Sequence, residues 1–143
     1  MDEHLAARFR SMQDSGPVLL SLFQTLTRAH AYFQGSGELK TVSISDVLDN
    51  GCIEATFQGV HLNFVPLPVF GANRHPRGRV IVMHCHATYG KPAQELLGSF
   101  TYGEDGVTDL DPDDEGNHPH LREHAPEIIL RFFDAAFVAN KLL

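Results

Sequence analysis

His84-Cys85-His86 sets two imidazoles one residue apart with a thiol between them. In a β-strand, side chains at i and i+2 share a face. His84 and His86 then stand side by side, which is how a sheet offers two nitrogen ligands to a transition metal. Cys85 points to the other face, so neither histidine is placed to act as its base. Its strand neighbours Ile81, Met83 and Ala87 read as core, and a thiol among them as a small buried hydrophobe. A second group, His118, His120 and His124, could ligate zinc or nickel together with a carboxylate. Pro119 and Pro126 interrupt that stretch, so His120 and His124 cannot be put on one helical face.

The segment Arg74-His75-Pro76-Arg77-Gly78-Arg79 holds three of the 11 Lys and Arg residues and is the one basic cluster in an acidic chain. Guanidinium groups pair bidentately with carboxylate or phosphate. Arg74, Arg77 and Arg79 are therefore the candidate site for an anionic ligand or an acidic partner segment. Asp111-Pro112-Asp113-Asp114-Glu115-Gly116 spaces oxygen ligands like the first half of a calcium loop, but the twelfth position holds Arg122 where a bidentate Glu belongs. It reads as a solvated acidic loop. Cys52 carries no signal, and no P-loop, dinucleotide fingerprint or nucleophile elbow occurs.

Gly78, five residues, and then His84-x-His86 resemble the opening of the first cupin motif, in which two strand histidines and a following Glu hold a transition metal. The resemblance implies a metal on His84 and His86. It covers about nine residues. The Glu positions of the motif fall on Gly90 and Lys91, Glu95 comes later across the Pro92 turn, and the second cupin motif is not found. The expectation from the residues is hydrogen-bonded histidines, with no metal and no cofactor.

These groups must be positioned by a chain of 143 residues, long enough to bury a core without disulfide or metal. The net charge of −7 disfavours nucleic acid and anionic membranes as partners. Seven of the 18 acidic residues lie between Glu104 and Glu115. No apolar run is long enough to span a membrane. The N-terminus lacks the pattern of a signal peptide, and two cysteines make no disulfide framework. A reduced cytoplasm is the expected setting.

Hydrophobic spacing gives the elements. Leu5, Phe9 and Met12 recur at helical period, Ser15-Gly16-Pro17 interrupts, and Pro17 suits the first turn of a second helix. Leu19, Leu22, Phe23, Leu26 and Phe33 line that helix, with Gly35 as its left-handed cap. Val42 and Ile44 open a strand, and Asp49-Asn50-Gly51 reads as a hairpin turn. Ile53, Ala55 and Phe57, then Val60, Leu62 and Phe64, alternate with Glu54, Thr56, Gln58, His61 and Asn63. That is an antiparallel sheet, apolar toward helices and wet on the other side. Pro66 and Pro68 end the pairing or confine it to an edge. A loop from 71 to 78 precedes a central strand from 79 to 89, apolar on both faces. Further strands follow at 96–102 and 107–110. A last helix from Pro126 to about 142 buries Ile128, Phe132, Ala135, Ala136 and Ala139, widened by Ile129, Phe133 and Phe137.

The fold expected is a single α+β domain over 1–143: one antiparallel sheet of about six strands packed against N-terminal and C-terminal helices. That architecture is similar to type III secretion chaperones, which pair helices with a twisted antiparallel sheet and dimerise. The resemblance rests on architecture and covers no motif. The expected function is a non-enzymatic binding or regulatory protein acting through a surface. Its partner would be another protein or a second copy, giving a homodimer. The Glu54–Asn63 face, the Arg74–Arg79 loop and the acidic loop are its expected contact surfaces. A His84/His86 metalloprotein and an anion-binding domain using Arg74–Arg79 are the alternatives.

Overall fold

The computed structural model describes residues 1–140. Its elements in chain order are α1 (Glu3–Gln24), a 3-10 turn (Thr25–Arg28), α2 (Ala29–Ser36), β1 (Ser43–Ile44), β2 (Ile53–Phe57), β3 (Val60–Phe70), β4 (Pro76–Thr88), β5 (Lys91–Tyr102) and α3 (Ala125–Asn140). The expected residues 141 and 142 of the last helix, and the side chain of Ala139, lie outside the described residues.

The five strands form one antiparallel meander in the order β1-β2-β3-β4-β5. This is the expected α+β fold with five strands in place of six. The segment expected as the sixth strand contributes only the single bridges Tyr102↔Thr108 and Val107↔His120. Its Asp109 side chain accepts from the Thr101 N–H at 2.8 Å, taking a backbone donor that a ladder would have used.

The core lies between one face of the sheet and the helices. Ile53, Ala55, Val60, Leu62, Phe64, Val80, Val82, Phe100 and Tyr102 meet Leu19, Phe23, Leu26 and Phe33 from the N-terminal helices and Ile128, Ile129, Phe132, Phe133 and Ala136 from α3. Edge-to-face rings at Phe57–Phe133 and Phe64–Phe132 fix α3 against the sheet. Gly78 and Tyr102 are cross-strand partners. The tyrosine side chain covers the glycine, where any Cβ would collide with it. The Tyr102 hydroxyl then reaches α1 and donates to the Leu19 carbonyl at 2.6 Å.

Local details correct the sequence reading in four places. Pro17 does not start a helix but sits inside the continuous α1. Pro17 and Gln13 are both exposed, so the hydrogen bond lost to the proline falls on the solvent side of the helix. The break comes instead at Thr25–Arg28, where Thr25 and Thr27 hydroxyls donate back to the carbonyls of Leu22 and Gln24. The left-handed cap of α2 is Gly37 at φ 75°, not Gly35. The supposed loop ends early, because Pro76–Gly78 already belong to β4. The next turn is Tyr89-Gly90, both at positive φ, and Lys91-Pro92 starts β5.

Pro66 and Pro68 lie where β3 has outrun β2. The last β2 partner in the register is Ile53↔Phe64, so Val65–Phe70 pair with β4 alone. The prolines thus occupy an edge, as expected, and leave it short of N–H donors.

Candidate functional site

Register sorts every sheet residue onto one of two faces. Leu62↔His84, Phe64↔Val82 and Pro66↔Val80 belong to the helix-covered face. Asn63↔Met83, His61↔Cys85 and Val65↔Ile81 belong to the other. β5 adds Gln94 beside Cys85, Leu96 beside Met83 and Ser99 beside Ile81. An irregularity at Val82/Met83 leaves Leu97 as an extra residue in β5, so both flanks keep their facing.

Among the described residues no helix lies on the second face, and it is more apolar than expected. Val65, Ile81, Met83 and Cys85 are half-buried, and Leu96 is 69% exposed. Here the reading of Ile81, Met83, Cys85 and Ala87 as core is wrong. A run that is apolar on both sides reads as covered on both sides, and β4 is covered on one. The polar residues expected on this face, Glu54, Thr56, His61 and Asn63, form its flank, while Gln58 turns away in the β2–β3 turn at φ 51°.

His84 and His86 do share a face, and it is the helix side. Their ring centroids lie 5.2 Å apart at an interplanar angle of 58°. His84 is buried at 7% exposure. Burial holds its imidazole below the ordinary histidine range, and the adjoining His86 pushes the same way, against a smaller opposing pull from Glu95. Glu95 is the residue that linear spacing placed too far off. The β4–β5 register sets it opposite His84, and its Oε1 lies 3.4 Å from His86 Nε2. Among the described residues, no group of three or more His, Cys, Asp or Glu stands in an arrangement that holds a metal ion.

Cys85 faces away from both histidines, as expected, but has a different one beside it. His61 is its direct cross-strand partner. Together with Glu54, Gln94, Pro92 and Gly90 they line a groove of about 430 Å³ at the end of the sheet. Burial pushes the Cys85 thiol up, the Glu54 charge adds to it, and a hydrogen bond with Gln94 offsets part of the rise. A thiol held protonated in this way is a poor nucleophile. Cys52 is buried and its thiol is likewise raised, first by burial.

The arginines separate. Arg74 is exposed on the turn at Ala72–Arg74, at φ 59°. Arg77 is half-buried, its Nε donating to Thr101 Oγ1 at 3.2 Å. A Cβ added to Gly103 would come within 3.2 Å of Arg77 Nη1 and 3.1 Å of Asp105 Oδ1, so the guanidinium and one carboxylate flank the same glycine. Arg79 is exposed on the open face beside Leu67.

The second histidine group and the acidic loop are tied up in local structure. His118 Nδ1 meets the Leu110 carbonyl at 2.7 Å and His120 Nε2 meets that of Asp105 at 2.6 Å. His120 Nδ1 accepts from the Arg122 N–H, and His124 Nδ1 from the His120 N–H. These rings lash the 105–124 segment together ahead of α3. Asp113 Oδ1 accepts the N–H groups of Glu115 and Asn117, and those bonds hold its carboxyl below the usual range.

Comparison with protein-family models, with curated proteins and with solved structures returned no match. Among the described residues no helix is long and apolar enough to cross a membrane.

Proposed function

We propose that this is a binding protein whose working surface is the open face of β2–β5, used to dock another protein rather than to make or break bonds. One observation carries the reading: an apolar strip of Val65, Ile81, Met83, Cys85 and Leu96 crosses the middle of a sheet with no element among the described residues laid over it. Soluble proteins seldom leave contiguous apolar area open, and a polar flank around such a strip is the anatomy of a protein interface. Glu54, Thr56, His61, Asn63 and Arg79 supply that flank. The raised thiol of Cys85 agrees with a contact role better than with nucleophilic catalysis.

The test is a photo-reactive amino acid at position 83, with the exposed Asp14 of α1 as the control position. Position 83 is expected to give a discrete adduct, mapped by mass spectrometry to one partner segment, and position 14 none. An adduct from position 14 alone would remove the reading.

A further inference from the structure

The charges around the open face suggest what covers it. Glu54 is exposed on β2, in the cross-strand row Glu54–Asn63–Met83. Arg79 is exposed on β4, in the row Leu67–Arg79. Between those rows runs Val65–Ile81, so the two opposite charges flank the apolar strip on a diagonal. The carboxylate of Glu54 acts on this face, since it is among the causes that raise the Cys85 thiol.

We infer that the occupant is a second copy of the chain, joined face to face about a two-fold axis that passes beside Val65. The inference rests on the docking role proposed above. An axis in the plane of the face and square to the Glu54–Arg79 diagonal brings Glu54 of one copy over Arg79 of the other, and the reverse contact follows by symmetry. The same operation closes Val65, Ile81 and Met83 on their own counterparts. Opposite charges across an apolar centre set register and disfavour other orientations.

Pairing through strand edges is the competing geometry, and the edges oppose it. β1 has two residues. The free stretch of β3 carries Pro66 and Pro68. β5 carries Pro92 and the Leu97 irregularity, and near its end Thr101 and Tyr102 are engaged by Asp109 and Thr108. Size agrees with a reversible dimer. Four strands at about 4.8 Å spacing and four rows at about 6.7 Å project roughly 500 Å². The accessible area of a corrugated face exceeds its projection, which puts it near the lower end of interfaces that bury about 800 Å² per partner.

The experiment is charge reversal read by sedimentation equilibrium at low salt, with Glu54→Arg and Arg79→Glu made separately. Both positions are exposed, so circular dichroism should show the fold retained. Each single variant sets like charges against each other in its own homodimer and is expected to weaken self-association about tenfold or more. An equimolar mixture of the two variants should recover wild-type association as a heterodimer, because every Glu then faces an Arg. Single variants that associate like wild type, or a mixture that does not recover, would overturn the inference. A wild type that stays monomeric while position 83 crosslinks to a different protein would overturn it too and leave the docking role standing. No adduct at position 83 would remove both.

Discussion

The two faces of the sheet are made from the same strands and come to opposite ends. On one face Leu62, Phe64, Val80 and Val82 are at most 1% exposed, packed under α1 and α3. On the other, Val65, Ile81 and Met83 sit one residue away in sequence and remain half-buried. Both sets are apolar and both belong to β3 and β4. The difference is that helices cover the first and nothing within the described residues covers the second. Composition alone therefore does not define a core; cover does. An apolar residue under cover serves stability, whereas the same residue left open has its burial still to gain from another molecule.

Paired truncations should separate the two faces most widely. Phe64→Ala removes a fully buried ring that stacks edge-on against Phe132 and is expected to cost about 4 kcal/mol in urea unfolding. Met83→Ala, on the adjacent residue position across the sheet, should change monomer stability by less than about 1 kcal/mol. Equal losses would mean that the open face is core after all.

A smaller effect sharpens the margin between the faces. His84 lies on the covered side, where burial and then His86 lower its pKa. Below about pH 6.5 the unfolded chain binds the proton more readily than the folded one. Folding stability is therefore complete above that pH and declines as pH falls toward the depressed folded value. His84→Gln removes this site and should flatten that part of the acid limb in unfolding curves taken from pH 7.5 to 5. A variant whose acid limb matches wild type would show that His84 is as well solvated in the folded chain as in the unfolded one.

Much of the covered face was legible in the sequence, because alternation is a local property. Ile53, Ala55 and Phe57, and Val60, Leu62 and Phe64, identified it from spacing alone. The last helix was legible for the same reason, its Ile128, Ile129, Phe132 and Phe133 recurring at helical period. Pro17 misled because whether a proline breaks a helix depends on which side of the helix faces water. The open face was half legible. Alternation places Glu54, His61 and Asn63 on it but puts Ile81, Met83 and Cys85 in the core, since one strand cannot report whether a helix lies above it. Cross-strand neighbours were out of reach altogether. Glu95 opposite His84, and His61 opposite Cys85, follow from register, which the Tyr89-Gly90 turn and the turn at Asn73-Arg74 set. The arginines form one cluster in sequence, yet the structure ties Arg77 to Thr101 and leaves Arg79 beside the apolar strip.

Self-association through the open face is measured most directly as the mass of the wild type and of Met83→Lys across a concentration series, from about 1 to several hundred micromolar, in the analytical ultracentrifuge. The wild-type mass is expected to climb from 15.8 kDa toward twice that value. The Met83→Lys mass is expected to stay at the monomer, with the melting temperature of the variant unchanged. A wild type fixed at the monomer mass, or a Met83→Lys variant that associates as strongly as wild type, would contradict self-association through this face.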